Sequence, residues 1–253
     1  MIDLSDRHVL IVGGSRGIGA AAARMAAAAG AAVSLTYVKN ASAAKSVVED
    51  IVVAGGRAVA YRADAANLSA MDEVVRDAVA KLGPLRGLVV SAGVYGESWL
   101  SIDKMSPRIW DEVMATNVRG TFVSVKVAAP YLRDAGGGSI VIYTSTAGQS
   151  GAGGNSAYAA SKGAQIIFMR SIAEELAPQG IRVNCIAPAW TETDTATPLI
   201  DSFGREGIVD ICLLGRTGVP EDVAGPTCFL LSDLASYMTG STMTVDGGQA
   251  MRG

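Results

Sequence analysis

Short apolar runs and amphipathic stretches alternate along the chain almost from its start. Val9-Leu10-Ile11-Val12 is a continuous apolar run of strand length, the pattern of a strand covered on both faces. It meets a glycine-rich turn, Gly13 to Gly19, and then an alanine-rich helical stretch to Ala29. Ala32 to Val38 reads as a second strand and Ala41 to Ala54 as a helix stopped by Gly55-Gly56. A third strand, Ala58 to Arg62, leads to Asp64. The next helix carries Leu68, Met71, Val74, Val75, Ala78, Val79 and Leu82 at helical spacing and ends at Gly83-Pro84. Leu88 to Gly93 is a fourth strand with its turn, and a long helical region runs from Pro107 to Arg133, with candidate breaks at Asn117 and Pro130. After Gly136-Gly137-Gly138 come a fifth strand, Ser139 to Thr144, and a helix from Tyr158 to about Ala177. Ile181 to Ile186 and Thr242 to Val245 are the sixth and seventh strands.

No linker or repeat interrupts this alternation, which predicts one doubly wound α/β domain over residues 1–253. The long stretch from Ala189 to Arg216 breaks the rhythm and contains Trp190, Phe203, Ile208, Ile211 and Leu213. It is either a surface excursion with a small core of its own or a substrate lid. The lid is the favoured reading, because long segments at strand C-termini often cover active sites.

Composition narrows the function classes. Hydrophobic residues make up 49% of the 253, charged ones 18%, and there are 30 glycines, a profile that fits a buried sheet. A formal charge of −3 leaves no electrostatic footprint for nucleic acid. No apolar run reaches transmembrane length, and the start does not read as a signal peptide. Cys185, Cys212 and Cys228 lack metal-site spacing, so no metal is expected; they read as reduced thiols of a cytoplasmic protein.

Two patterns carry chemistry. The strand, glycine turn and helix around Gly13-Gly14-Ser15-Arg16-Gly17-Ile18-Gly19 form a phosphate cradle. Glycines permit close backbone approach, and a helix N-terminus attracts negative charge. The spacing is Gly-x-x-x-Gly-x-Gly rather than the usual Gly-x-Gly-x-x-Gly. The same residues spell Gly-x-Ser-x-Gly, the nucleophile elbow of hydrolases. That reading fails, because the only histidine, His8, precedes the serine. The second pattern is Tyr158 and Lys162, four apart and so about 6 Å apart on one helix face. A phenol keeps its proton up to a pKa of ~10, and a neighbouring ammonium favours the phenolate, which brings proton exchange towards neutrality.

Taken together, the glycine turn, Asp64, Ser91-Ala92-Gly93, Asn117, Ser145, Tyr158 to Lys162, Pro188 and Val245-Asp246-Gly247-Gly248 resemble the short-chain dehydrogenase/reductase family over essentially the whole chain. The resemblance implies a Rossmann fold with a parallel seven-stranded sheet and nicotinamide-dependent oxidation or reduction at a carbonyl or alcohol carbon. It implies a catalytic tetrad of Asn117, Ser145, Tyr158 and Lys162. Tyr158 would exchange the proton with the substrate oxygen, and Ser145 would hold that oxygen. Lys162 would lower the phenol pKa and bind the nicotinamide ribose, and Asn117 would support a water leading protons to Lys162. It further implies cofactor contacts from Gly13, Ser15, Arg16, Gly17, Ile18, Gly19, Tyr37, Lys39, Asp64, Ala65, Ser91, Ala92, Gly93, Pro188, Thr191 and Thr193, besides Tyr158 and Lys162. A homotetramer built partly from the Pro107–Arg133 and Tyr158–Ala177 helices is the family expectation.

Three positions depart from the family pattern: Val12 for threonine, Val90-Ser91 for a pair of asparagines, and Ala189 for glycine after Pro188. The first two bear on local stability, and Ala189 adds a methyl beside the expected nicotinamide site. NAD-preferring relatives place a carboxylate at the end of the second strand. Here that corner reads Tyr37-Val38-Lys39-Asn40, and Arg16 is within reach, so NADP(H) is expected over NAD(H).

The expected function is an NADPH-dependent carbonyl reductase or alcohol dehydrogenase acting on a small-molecule ketone or secondary alcohol. The alternatives are a 3-oxoacyl-(acyl-carrier-protein) reductase and a non-catalytic dinucleotide-binding regulator of the same fold. Tyr95, Trp99, Gln149, Trp190 and Phe203 are the candidate substrate contacts, an apolar lining with Glu97 and Glu192 as the inward charges. Such a lining predicts neutral cyclic or aryl-substituted ketones rather than anionic sugars and carrier-bound acyl chains.

Overall fold

The computed structural model describes residues 2–96 and 99–252. Its strands are β1 (His8–Val12), β2 (Ala32–Tyr37), β3 (Arg57–Arg62), β4 (Leu85–Val90), β5 (Gly138–Tyr143), β6 (Ile181–Pro188) and β7 (Thr242–Val245). All pair in parallel, in the order β3-β2-β1-β4-β5-β6-β7. The chain starts in the middle, winds out through β2 and β3, then returns to β4 on the other side of β1. That reversal opens a crevice at the C-terminal ends of β1 and β4, where open α/β sheets bind ligands.

Ten α-helices connect the strands among the described residues. They are α1 (Gly17–Ala28), α2 (Ala41–Val53), α3 (Leu68–Leu82), α4 (Pro107–Met114), α5 (Gly120–Asp134), α6 (Ala147–Ser150), α7 (Ser156–Leu176), α8 (Thr197–Phe203), α9 (Arg205–Ile211) and α10 (Pro220–Leu231). Successive strand residues point to opposite faces, so the run Val9 to Val12 feeds two cores at once. Val9 and Ile11 pack with α1, α2 and α10, whereas Leu10 and Val12 pack with α3, α5 and α7. The alanine content of α1 has a packing reason: Ala20 to Ala23 and Ala26 are all buried, and small side chains let it lie close to its neighbours.

Most expected elements stand where the apolar pattern put them, with three informative differences. β4 begins at Leu85 rather than Leu88, with a register shift opposite His8 and Val9. The polar Arg86 hid that start; it is only half-buried, and its guanidinium reaches the Ala135 carbonyl. β6 runs on to Pro188, which pairs with Val245 at the strand end, where a missing N–H costs nothing. Of the two candidate breaks, only the one at Asn117 interrupts the helix, as one π turn over Ala115–Arg119. Pro130 is absorbed within α5 on its exposed face, where water can reach the carbonyl its ring leaves unbonded.

His8 opens β1 at the end of the sheet opposite the glycine turn. Its Nδ1 lies 2.9 Å from the Gly83 carbonyl oxygen and its Nε2 2.8 Å from the Ser34 hydroxyl. Burial pulls its pKa down to about 4. The sole histidine is therefore a neutral structural residue, consistent with its exclusion as a catalytic base.

Candidate active site

At the C-terminal ends of the central strands lies a cavity of about 670 Å³. Its floor is the turn after β1. Gly13 has a φ of +83° and Gly17 one of +53°, conformations that favour glycine. A Cβ on Gly13 would come within 2.7 Å of the Ala92 nitrogen, and one on Gly19 would run into the Gly13 carbonyl oxygen. The turn is tied down by Thr36, whose Oγ1 accepts from the Gly13 nitrogen at 3.1 Å and whose carbonyl accepts from Gly14 at 3.0 Å. Thr36 thus supplies a polar tie at the turn despite the substitution of valine at position 12. No side chain caps the N-terminus of α1, so its first N–H groups are left for a ligand. An uncapped helix start, a glycine floor that admits no side chain at Gly13 and Gly19, and an open cavity fit a dinucleotide.

The expected cofactor residues converge on this cavity. Gly13, Ser15, Arg16, Gly17, Ile18, Tyr37, Lys39, Asp64, Ala65, Ser91, Ala92, Gly93, Pro188, Thr191 and Thr193 line it, together with Ser145, Tyr158 and Lys162. Gly19 does not line it and instead packs beneath, against Gly13 and Ser91. Ala189 lines it too, so its added methyl is accommodated at the wall. A wider and more open groove of about 1200 Å³ lies outside, along α3 and α5. Apart from Asp64 it shares no residue with the cavity and contains none of the tetrad.

Tyr158 and Lys162 sit in the first turns of α7, with exposures of 9% and 5%. The Lys162 Nζ lies 5.6 Å from the Tyr158 ring centroid and donates to the Tyr143 carbonyl oxygen at 2.8 Å. Burial, opposed by the neighbouring Cys185, brings the pKa of Lys162 down to about 8. Burial also raises Tyr158 well above the ordinary phenol value; Tyr95 adds to this, and a hydrogen bond with Ser145 opposes it. The direction at Tyr158 is set first by desolvation. The Lys162 Nζ is turned to the Tyr143 backbone carbonyl rather than to the phenol oxygen. The phenol of Tyr158 is thereby held on its protonated side.

Asn117, fully buried in the π turn, does not line the cavity. Its Oδ1 accepts from the Val94 nitrogen at 2.8 Å, and its Nδ2 donates to the Val94 oxygen at 3.0 Å and to Ser161 Oγ at 2.9 Å. Its carbonyl oxygen accepts from Thr121 Oγ1 at 2.6 Å and Gln165 Nε2 at 2.9 Å. The polar groups implied to hold a water are thus bonded to protein. Ser161, Gln165, Thr121 and Thr36 were missed in the sequence, though a signal existed for two of them: Ser161 and Gln165 fall three and seven residues after Tyr158, on its own helix.

Of the candidate substrate contacts, only Tyr95 lines the cavity; its ring centroid is 4.5 Å from that of Tyr158, at 32°. Trp99, Phe203 and Trp190 form a cluster of their own, with centroids 4.1 Å apart for Trp99–Phe203 and 6.0 Å for Trp190–Phe203. Trp99 also covers Gly154, where a Cβ would come within 3.0 Å of its ring. The stretches after β4, β5 and β6 therefore do meet at these aromatics. The Gln149 amide is spent on Thr244 Oγ1 at 3.2 Å. The Glu192 carboxylate accepts from Thr217 and Arg205, which hold it below the usual carboxylate range; Glu97 lies outside the described residues. The stretch after β6 borders the cavity and also holds a small core of its own. Thr191, Thr193, Asp194 and Thr195 contribute to the cavity wall, whereas Ala196, Ile200 and Ile208 form a small core with Trp190.

Among the described residues no group of three potential ligands could hold a metal ion, and no helix is long and apolar enough to cross a membrane. A doubly wound sheet with a glycine cradle, a buried Tyr–Lys pair and an adjacent serine defines a nicotinamide-dependent oxidoreductase site. The family described as enoyl-(acyl carrier protein) reductase matches residues 12–250. The chain is 35% identical over 252 residues to a 3-oxoacyl-[acyl-carrier-protein] reductase of Synechocystis sp., covering 99% of this chain and 100% of that protein. It is 36% identical to an L-rhamnose 1-dehydrogenase (NAD(P)(+)) of Azotobacter vinelandii, with 97% of each chain covered. A dehydrogenase/reductase structure from Sinorhizobium meliloti 1021 superposes with a TM-score of 0.90 at 38% identity, over 98% of this chain and 96% of that one. The chain belongs to the short-chain dehydrogenase/reductase family and is an oxidoreductase acting on CH–OH and C=O groups.

Proposed function

We propose that the protein is a cytoplasmic NADPH-dependent carbonyl reductase of one domain, in which Tyr158 is the general acid, and that its substrates are neutral cyclic or aryl ketones. The observation that carries this is Tyr158 itself: a buried phenol, protonated at neutral pH, open to the cavity beside Ser145 and Lys162. A dihydronicotinamide held in the cavity would supply the hydride for the carbonyl carbon. Tyr158 gives its proton to the carbonyl oxygen, and the Ser145 hydroxyl holds that oxygen. Lys162, with one N–H on the Tyr143 carbonyl, keeps two for the phenol side and the ribose. Asn117 acts through the loop it fixes rather than by direct contact.

Arg16 and Lys39 support NADPH. Both are exposed at the mouth of the cavity, next to a corner after β2 that carries no acid. Charged donors there suit a 2′-phosphate. The Trp99–Phe203–Trp190 cluster, where the segments after β4, β5 and β6 meet, supports an apolar substrate. Trp110, Phe122 and Ile167 are exposed apolar side chains on α4, α5 and α7, and those faces support a homotetramer.

A second reading, a 3-oxoacyl-(acyl-carrier-protein) reductase, is favoured by the full-length similarity to the Synechocystis enzyme. Initial rates on an aryl ketone, a 3-oxoacyl thioester and a keto-sugar phosphate, each with NADPH and NADH, separate the two. The aryl ketone with NADPH is expected to give the highest kcat/KM. Highest efficiency on the thioester would establish the second reading, and highest efficiency on the phosphate would end both.

A further inference from the structure

The chain leaving β6 and the chain returning to α10 are joined where they pass each other. Thr191 and Gly218 form a parallel bridge. The Glu192 nitrogen donates to the Gly218 carbonyl oxygen at 2.8 Å, and the Gly218 nitrogen donates to the Trp190 carbonyl oxygen at 2.9 Å. The returning chain is itself fixed, because the Arg216 guanidinium makes two hydrogen bonds to the Asp222 carboxylate of α10, at 2.6 and 2.9 Å. Residues 193–216 are thus a loop closed at its base. Thr191 and Thr193 line the dinucleotide cavity, and Thr193 lies over the glycine turn, where a Cβ on Gly17 would come within 3.1 Å of its Cγ2. Glu192 between them turns its carboxylate the other way. Its Oε1 accepts from the buried Thr217 hydroxyl at 2.6 Å and from the Arg205 guanidinium of α9. Asp201 of α8 holds that guanidinium in turn, at 2.9 and 3.1 Å. The clasp therefore ties the middle of the loop to a residue whose two neighbours form the cavity wall.

We propose that Glu192 is a positioning residue for the cofactor: clasped by Arg205 and Thr217, it holds Thr191 and Thr193 against the bound dinucleotide and sets how long the nucleotide stays. The inference rests on the reading of the cavity as the dinucleotide site. An exposed ion pair by itself contributes little. Here two donors converge on one carboxylate oxygen, and one of them, Thr217, is buried. Neither Glu192 nor Arg205 belongs to the two apolar cores that flank the sheet. Breaking the clasp loosens the segment over the cavity and leaves the sheet in place.

The test is the dissociation rate of NADPH and of NADH, read in stopped flow by displacing the reduced nucleotide with excess oxidised nucleotide and following its fluorescence. Amide hydrogen exchange at Glu192 and Gly218 is measured beside it on the protein without nucleotide. Arg205→Ala speeds release about threefold and Glu192→Ala about fivefold, the upper range for a partly exposed charged pair. Glu192→Gln, which keeps an oxygen for Thr217 and drops the charge, behaves as Arg205→Ala does. The double variant releases nucleotide no faster than Glu192→Ala, because the guanidinium has already lost its acceptor. Both amides exchange faster in every one of these variants. Release and exchange at the parent rates in both single variants overturn this inference alone, and so do additive effects in the double variant, which mean that the two side chains act apart. A parent protein that binds neither nucleotide overturns the dinucleotide reading and this inference together.

Discussion

The sole histidine offers a prediction that can be isolated from every other group in the protein. His8 is 1% exposed, bonded to Gly83 and Ser34, and held at a pKa of about 4 against an ordinary 6.5. The unfolded chain therefore takes up a proton between pH 6.5 and about 4 that the folded chain refuses. Stability falls as pH drops through that window and is fully retained above it. A displacement of that size corresponds to about 3 kcal/mol once both limits are passed. Carboxylates also titrate at the acid end, so the measurement is a difference. Urea unfolding of the parent and of His8→Gln is followed across the window, with ligand absent. His8→Gln is less stable at neutral pH, because its amide reproduces the ring contacts imperfectly. Its stability loses about 3 kcal/mol less than the parent's over the same acid excursion. Parallel curves for the two proteins would refute the reasoning. Turnover at neutral pH should be close to the parent value in the variant, since His8 sits at the far end of β1.

Three further outcomes follow from the site. Arg16→Ala should raise the KM for NADPH about tenfold, the worth of one charge-assisted hydrogen bond, and leave that for NADH unchanged; equal effects on both would remove Arg16 from the phosphate site. Asn117→Ala leaves the Val94 N–H and C=O and the Ser161 hydroxyl short of partners. It should cost about 2–4 kcal/mol in urea unfolding and lower kcat more than it alters the KM for NADPH. Gly19→Ala puts a methyl into the Gly13 carbonyl. It should abolish NADPH binding, read by fluorescence quenching, while far-UV circular dichroism stays unchanged; retained binding would show that the turn shifts freely.

The apolar alternation made the sheet legible because each central strand is covered on both sides. Val9 to Val12 could be read without context, as every one of its side chains is buried. β4 was read short because Arg86 breaks the run while its guanidinium bonds a distant carbonyl. Such a partner depends on tertiary contacts. The glycine turn and the Tyr158–Lys162 pair were visible because local backbone geometry and helical spacing define them. The supports behind them were not. Thr36 reaches the turn from the neighbouring strand, and Asn117 meets Val94 across 23 positions of sequence. Desolvation at Tyr158 also lay beyond the pattern. A four-residue spacing places an ammonium near a phenol but says nothing of the burial that raises the phenol instead.

The central claim is that Tyr158 delivers the proton in carbonyl reduction, and a single substitution tests it most directly. Tyr158→Phe removes only the hydroxyl, leaving the glycine cradle and Lys162 in place. NADPH affinity by fluorescence titration and ketone-dependent NADPH oxidation are measured on the same preparation. Loss of a positioned acid costs ~10²-fold or more in rate, so binding within about twofold of the parent and a rate down by at least ~10²-fold is the predicted pair. A variant that binds NADPH and keeps more than about a tenth of the parent rate would contradict the account.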